Sequence, residues 1–297
     1  MYHKPALLIE SIDGLNIQPG GIYVDLTFGG GGHSREIMKY LDNGRLYAFD
    51  VDRDVATDVI RDKRFEFIRG NFRYAGNFLR YRKVTAIDGA LADLGVSSHH
   101  LDESGRGFAF RFDSLLDMRM NQEAELKAAT IVNTYEKEEL MRIFRDYGEL
   151  KEVKMLSGLI ISYRNGKEIK TSGELIEAIG NCVPGDNRHK YLARVFQALR
   201  IEVNDEINAL KEMITGIAGL LKKGGRFCII TYHSLEDRLV KNYFKTGNFE
   251  GNQYSDIYGN RTVPFIQVSK GVITPDDEEI RQNNRSRSAK LRIAERV

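Results

Sequence analysis

Tryptophan is absent from this chain, and cysteine and proline are scarce, with two and five copies among 297 residues. Each scarcity excludes something. Two cysteines, Cys182 and Cys228, cannot build a disulfide framework or a four-cysteine zinc site, so both read as buried or inert thiols. No metal site is expected. No apolar run approaches the roughly 20 residues a membrane helix requires, so no spanning segment is expected. Residues Met1 to Asp13 carry His3, Lys4, Glu10 and Asp13 and lack the apolar stretch of a secretory signal, which makes a cytoplasmic location the expectation. An excess of one charge is also missing: 44 basic against 42 acidic residues leave a net charge of +2, so the overall balance does not announce a polyanionic partner. With 42% hydrophobic and 29% charged residues, the composition is that of a soluble globular chain. No internal repeat is visible.

Glycine is present where it matters. Four in a row, Gly29 to Gly32, separate the apolar run Ile22 to Leu26 from the helix-like stretch Ser34 to Leu41, and a second apolar run, Leu46 to Phe49, ends in Asp50. Strand, glycine turn, helix, strand and acid is the layout of a nucleotide-binding βαβ unit, in which glycines let backbone amides approach a ligand. The strict dinucleotide fingerprint nevertheless fails, because its sixth position falls on Ser34 or Arg35.

The distribution of charge is less even than its total. Between Arg61 and Lys83 lie Arg61, Lys63, Arg64, Arg69, Arg73, Arg80, Arg82 and Lys83, interleaved with Phe72, Tyr74, Phe78 and Tyr81 and opposed only by Asp62 and Glu66. Near the end of the chain Arg281, Arg285, Arg287, Lys290 and Arg292 recur among Ser and Asn. Both segments could face RNA, since cations neutralise phosphates and aromatics stack on unpaired bases; a solvated face is the plain alternative.

The first pattern continues with a helix over Asp54 to Ile60 and strands at Phe65 to Ile68 and Ile87 to Ala92. Such alternation means a doubly wound, mostly parallel sheet with helices on both faces, an α/β fold. From Leu94 to Gly225 no convincing strand is found. Helical periodicity instead marks Glu136 to Tyr147 and Glu152 to Tyr163, Thr171 and Glu174 form a capping-box pattern, and Tyr191 to Lys223 reads as two helices ending at Gly224 and Gly225. An all-helical subdomain is therefore expected at 105–207, inserted into a core of 1–104 and 208–297. The core resumes with strand Arg226 to Thr231, a capping box at Ser234 and Asp237 opening helix Leu235 to Phe244, and strands Val263 to Val268 and Leu291 to Ala294.

In an open doubly wound sheet the ligand lies beyond the carboxyl ends of the strands. Those ends carry Thr27 to His33, Asp50 and Asp52, Asn71 and Phe72, Asp93, and Tyr232 and His233. Asp50, 18 residues past Gly32, is placed to accept from ribose hydroxyls, Phe72 to stack on an adenine, and Asp93 to hold a cationic group or accept from a reacting amine. Blander roles exist for each: an Asp at a strand end caps turns, a Phe fills core, and His233 could cap the next helix. His99 and His100 are adjacent, which is not helical ligand spacing.

These segments match a known family. His3 to Leu8, Asp25 to Ser34, Asp93 to Ser98, Arg106 to Phe108, Leu116 to Met120, Phe196 to Asn204, Tyr232 to Arg238 and Asn284 to Glu295 closely resemble, in colinear order over nearly the whole chain, the bacterial 16S ribosomal RNA cytosine-N4 methyltransferases. The resemblance implies a class I, Rossmann-like methyltransferase core that uses S-adenosylmethionine, with the insert helping to recognise 16S rRNA in the small ribosomal subunit. Carried onto matching positions, it implies cofactor contacts from Gly31, Gly32, His33, Asp50, Phe72 and Asp93. His100 stands where the family usually has glutamine, so a neutral imidazole there replaces only one of the amide's hydrogen bonds. Lys151 to Ser157 also departs from the commoner form.

The implied chemistry suits the residue inventory. An exocyclic cytosine amine has its lone pair delocalised into the ring and needs positioning and a proton acceptor rather than a covalent nucleophile. Neither cysteine sits where a thiolate nucleophile is expected, and the Pro-Pro motif of amino-methylating DNA enzymes is missing after the fourth strand. Asp93 is the expected catalytic group, with Ser97, Ser98 and His233 to orient the base. A homodimer is compatible with this reading and not required by it. Two other classes fit the same sequence, a nicotinamide-dependent oxidoreductase on the same sheet and a noncatalytic RNA-binding ribosome assembly factor.

Overall fold

The computed structural model describes residues 5–52, 55, 60–95, 105–183, 185–255 and 263–297. The chain divides into two compact units, one of Met1–Gly95 with Ile207–Val297 and one of Val96–Glu206.

The first unit is built on seven strands: β1 Ile22–Asp25, β2 Arg45–Asp50, β3 Phe65–Arg69, β4 Ile87–Asp93, β5 Leu221–Thr231, β6 Phe265–Gln267 and β7 Lys290–Arg296. Their order is β3-β2-β1-β4-β5-β7-β6. β1 to β5 run parallel, and β7 pairs antiparallel with both β5 and β6. The sheet is thus the doubly wound, mostly parallel one expected. Its central strands are apolar on both faces, as a sheet covered twice must be. Alternate residues feed two cores: Val24, Ala90, Ala92, Phe227 and Ile229 point to one, Tyr23, Leu91, Cys228 and Ile230 to the other. Both cysteines are free and buried, and burial pushes the Cys228 thiol well up, as expected of inert thiols.

Helices α1 Leu8–Leu15 and α2 Gly32–Tyr40 precede β2 in the chain, and α3 Ala75–Tyr81 follows β3. The second unit holds α4 Ala128–Thr134, α5 Lys137–Asp146, α6 Val153–Arg164, α7 Ser172–Ala178 and α8 Arg188–Asn204 around their own core, which includes Leu140, Phe144, Leu156, Ile160, Leu175, Val195 and Leu199. The capping box of α7 forms as its sequence requires: Thr171 Oγ1 accepts from Glu174 N and a Glu174 carboxylate oxygen accepts from Thr171 N, both at 3.2 Å. Helices α9 Glu206–Ala218, α10 Ser234–Thr246 and α11 Asp277–Gln282 complete the chain.

Two local expectations are corrected. Helix α9 stops at Ala218, not at Gly224, and Lys222 to Gly225 lie within β5. There Leu221 pairs with Ile87 and Arg226 with Gly89, so five steps along one strand oppose two along the other; periodicity cannot reveal such an excursion. The box that opens α10 uses His233 and Glu236 rather than Ser234 and Asp237. The sequence pattern does not announce helices α1, α3, α4 and α11; α3 and α4 have seven residues each and α11 six, too short for a periodic signal. The helix expected over Asp54 to Ile60 falls largely outside the described residues.

Candidate active site

The strand ends of the first unit converge on a small set of polar groups. β1 closes with Asp25, which is fully buried. Its carboxylate accepts from Ser34 Oγ at 2.6 Å and from Thr27 N at 3.1 Å, tying the strand to the first turn of α2. Burial pushes its pKa up to about 6. Thr27 Oγ1 in turn accepts from Asp93 N at 2.6 Å, joining the ends of β1 and β4.

Between them runs the glycine loop. Phe28 anchors it: its N–H donates to Phe49 O at 2.8 Å, and its ring centroid lies 5.7 and 5.3 Å from those of Phe65 and Phe67. Gly31, at φ +71, donates to Phe28 O at 2.7 Å, and a Cβ there would stand 2.6 Å from the Phe28 ring. Gly29 also has positive φ, +49, but a Cβ there would meet nothing within 4 Å. Gly31 is thus required by packing, while Gly29 borders open space, the side on which a ligand can approach the backbone.

Two acids flank the loop. Asp50 Oδ2 accepts from Gly29 N at 2.7 Å and Oδ1 from Asp52 N at 2.9 Å. The turn-capping role and a ligand role are compatible here, because each carboxylate oxygen has a second lone pair. Asp93 Oδ1 accepts from the Tyr232 hydroxyl at 2.7 Å, while Oδ2 lies 3.9 Å from His33 Nδ1. With its side chain only 22% exposed, withdrawal from water pushes Asp93 up to about 7, against the Tyr232 hydrogen bond and with help from the charges of Asp25, Glu236 and Glu279. His33 is buried and driven down to about 4 by desolvation, with Nε2 3.2 Å from Ala6 O. A neutral imidazole beside a carboxylic group that takes up protons near neutrality is an arrangement suited to proton handling.

Of the other expected residues, Phe72 is half-buried, begins a single 3₁₀ turn and packs in part on the core. His233 caps α10: Nδ1 accepts from Glu236 N at 3.4 Å. Its Nε2 is buried without a well-aligned hydrogen bond, although Glu236 Oε1 lies 3.1 Å away. Ser97, Ser98, His99 and His100 lie outside the described residues. Sequence reasoning gave no role to Asp25, to the Tyr232 hydroxyl or to the segment Pro5 to Leu7, whose Leu7 N–H donates to Glu279 at 2.8 Å. The pattern His3 to Leu8 was the available signal for that last contact.

The two basic segments are partly neutralised. Arg64 pairs with Asp62 at 2.6 Å, Arg73 with Glu212 at 2.9 Å and Arg82 with Glu66 at 2.8 Å. In the second segment Arg292 belongs to β7 and grips Asp237 at 2.6 Å, with Lys290 3.7 Å from the same carboxylate. These two are consequently structural rather than free for RNA.

An adenosine carrying a cationic centre fits what is present: open backbone at Gly29, an acid at the end of β2 and a carboxyl at the end of β4 whose ionised form a nearby cation would favour. Comparisons with known proteins agree. The model of the MraW methylase family matches residues 1–297. The chain is 57% identical over 296 residues to "Ribosomal RNA small subunit methyltransferase H" of Bacteroides thetaiotaomicron, covering 99% of this chain and 97% of the relative. It is 56% identical to the protein of the same name from Phocaeicola vulgatus and 54% to that from Flavobacterium johnsoniae, covering in each case 100% of this chain and 98% of the relative. The oxidoreductase reading has no support beside these matches. The chain belongs to the MraW methylase family, whose members are S-adenosylmethionine-dependent methyltransferases.

Proposed function

We propose that this enzyme transfers the methyl group of S-adenosylmethionine to N4 of a cytosine in the decoding region of 16S rRNA, acting on the small ribosomal subunit in the cytoplasm. The observation that carries the reading is Asp93, held by Tyr232 beside the glycine loop with its proton affinity raised to the neutral range. When bound, the cofactor would supply an electrophilic methyl group on a cationic sulfur, which keeps the electron pair of the broken C–S bond and leaves as a neutral thioether. Gly31, Gly32, His33, Asp50, Phe72 and Asp93 would hold it, with His100 in the position of the family's glutamine. Asp93 orients the exocyclic amine and takes the proton that leaves nitrogen as the new N–C bond forms. Ser97, Ser98 and the Nε2 of His233 orient the base. His33, kept neutral by burial, leaves the field at Asp93 free of a competing cation.

Residues 1–104 and 208–297 serve as the cofactor-binding core and 105–207 as the RNA-recognition subdomain. This chemistry does not require a homodimer. No helix among the described residues is long and apolar enough to cross a membrane. Incubation with labelled S-adenosylmethionine and small subunits, followed by mapping of the modified nucleotide, should find N4-methylcytosine. Absence of label in the rRNA would leave a noncatalytic assembly factor as the better reading.

A further inference from the structure

Tyr74, Phe78 and Tyr81 recur at i, i+4 and i+7 along α3 and the residue before it, the spacing of one helical face. Such a stripe ordinarily faces a core. Here the three residues are 49%, 37% and 80% exposed. The helix is held by its other side: Ala75 and Leu79 are fully buried in the core that contains Met213, Ile214 and Ile217 of α9, and Gly76 packs directly on the Gly216 backbone. Phe78 meets the buried Phe49 ring edge-on at 6.2 Å between centroids, but packing accounts for neither Tyr74 nor Tyr81.

The surroundings say what would cover it. The Arg73 guanidinium lies 5.7 Å from the Tyr74 ring centroid and that of Arg82 6.0 Å from Tyr81. Gly70 abuts the Phe78 ring, which brings the end of β3, with Arg69, beside the stripe. Arg69 and Lys83 have no acidic partner among the described residues, and neither has Arg80 on the flank of the helix toward Gly219, so the cations of this segment outnumber Glu66 and Glu212, the carboxylates that hold Arg82 and Arg73. Flat rings interleaved with unneutralised cations match a polyanion that exposes flat faces, and not an apolar protein surface. From Tyr74 to Tyr81 the helix rises about 10 Å, the length of about three stacked nucleotides.

We infer that this face of α3 is a second RNA-binding surface, in the unit that carries the active site, where an unpaired stretch of the rRNA substrate stacks on Tyr74, Phe78 and Tyr81 and sets its phosphates against Arg69, Arg80 and Lys83. The inference rests on the RNA-methylating reading, and its test has a separate readout.

The test is the double variant Arg80→Glu/Tyr81→Ala, with Tyr81→Ala alone, at the most exposed ring, as the variant that decides if the double one fails to fold. Fluorescence anisotropy with a labelled single-stranded oligoribonucleotide should show at least a tenfold rise in Kd for the double variant and about a threefold rise for the single one. The double variant should also raise KM for rRNA while leaving kcat and the calorimetric affinity for S-adenosylmethionine unchanged. Its log Kd against log salt should lose about 0.7 of slope for each phosphate contact removed. An oligonucleotide Kd and rRNA KM within twofold of wild type, with cofactor affinity intact, would overturn the inference. So would loss of self-association in the variants with RNA affinity unchanged, which would make the face a contact between copies of this chain. A wild-type chain that binds the oligonucleotide but transfers no methyl group would instead sink the proposed function and leave this surface standing.

Discussion

The Tyr232 hydroxyl reaches across from the end of β5 to donate a 2.7 Å hydrogen bond to Asp93 at the end of β4. Two neighbouring parallel strands thus place a donor on a carboxyl group that burial has pushed up to about 7.

Asp93 keeps a proton in the folded state up to about pH 7 that the unfolded chain releases near 3.8. Because the folded state binds more protons between those values, the contribution of this group to stability is largest at the acid end and is lost as pH rises through 7. Asp25, pushed up to about 6, acts in the same direction. Asp93→Asn removes the Asp93 component: in thermal melts without cofactor the variant should exceed wild type at pH 8, by about 2–4 °C for each kcal/mol relieved, and converge with it near pH 4. Its turnover should fall by about 10² to 10⁴ as the proton acceptor is lost.

Tyr232→Phe separates the partner from the acceptor. Without the hydroxyl, the hydrogen bond that holds the Asp93 pKa down is gone and the pKa moves higher. The pH–rate profile should accordingly shift its rising limb to more alkaline pH. A wild-type midpoint in Tyr232→Phe would remove Asp93 as the titrating group.

The glycines of the loop should respond differently to alanine. Gly31→Ala forces a Cβ into the Phe28 ring at φ +71, and the left-handed backbone alone costs roughly 1–2 kcal/mol, so its melting temperature should drop markedly. Gly29→Ala bears the backbone cost without a clash. Its methyl group points into the open side of the loop, and calorimetry should show weaker S-adenosylmethionine binding, by about tenfold or more, in a chain that still folds.

Substitution can divide the cap that His233 forms on α10 from the base-orienting role proposed for it. Ala removes the cap of α10 at a cost of about 0.5–2 kcal/mol, whereas Asn can cap in its place. His233→Asn should melt close to wild type yet lose about tenfold in kcat, because the base-orienting Nε2 is gone. Full turnover in that variant would reduce His233 to a helix cap.

The strand, glycine turn, strand and acid from Ile22 to Asp50 were legible because each is local: alternation, a glycine run and a charged stop occupy consecutive residues. By itself the sequence determined the parallel sheet, the helical insert and the acids at the strand ends, since period and punctuation are properties of neighbours along the chain. It did not show that Lys290 and Arg292 are spent on Asp237, or decide between His233 and Ser234 as the cap of α10, because a capping partner is chosen by backbone geometry. Only the tertiary structure decided the electrostatics. Asp25 with His33, Asp93, and Tyr232 come from three distant stretches of the chain, and their shifted proton affinities arise from shared burial, which no single segment encodes. The same holds for α3, where the spacing of Tyr74, Phe78 and Tyr81 specifies one face, and only the packing of Ala75 and Leu79 on the other side turns that face to solvent.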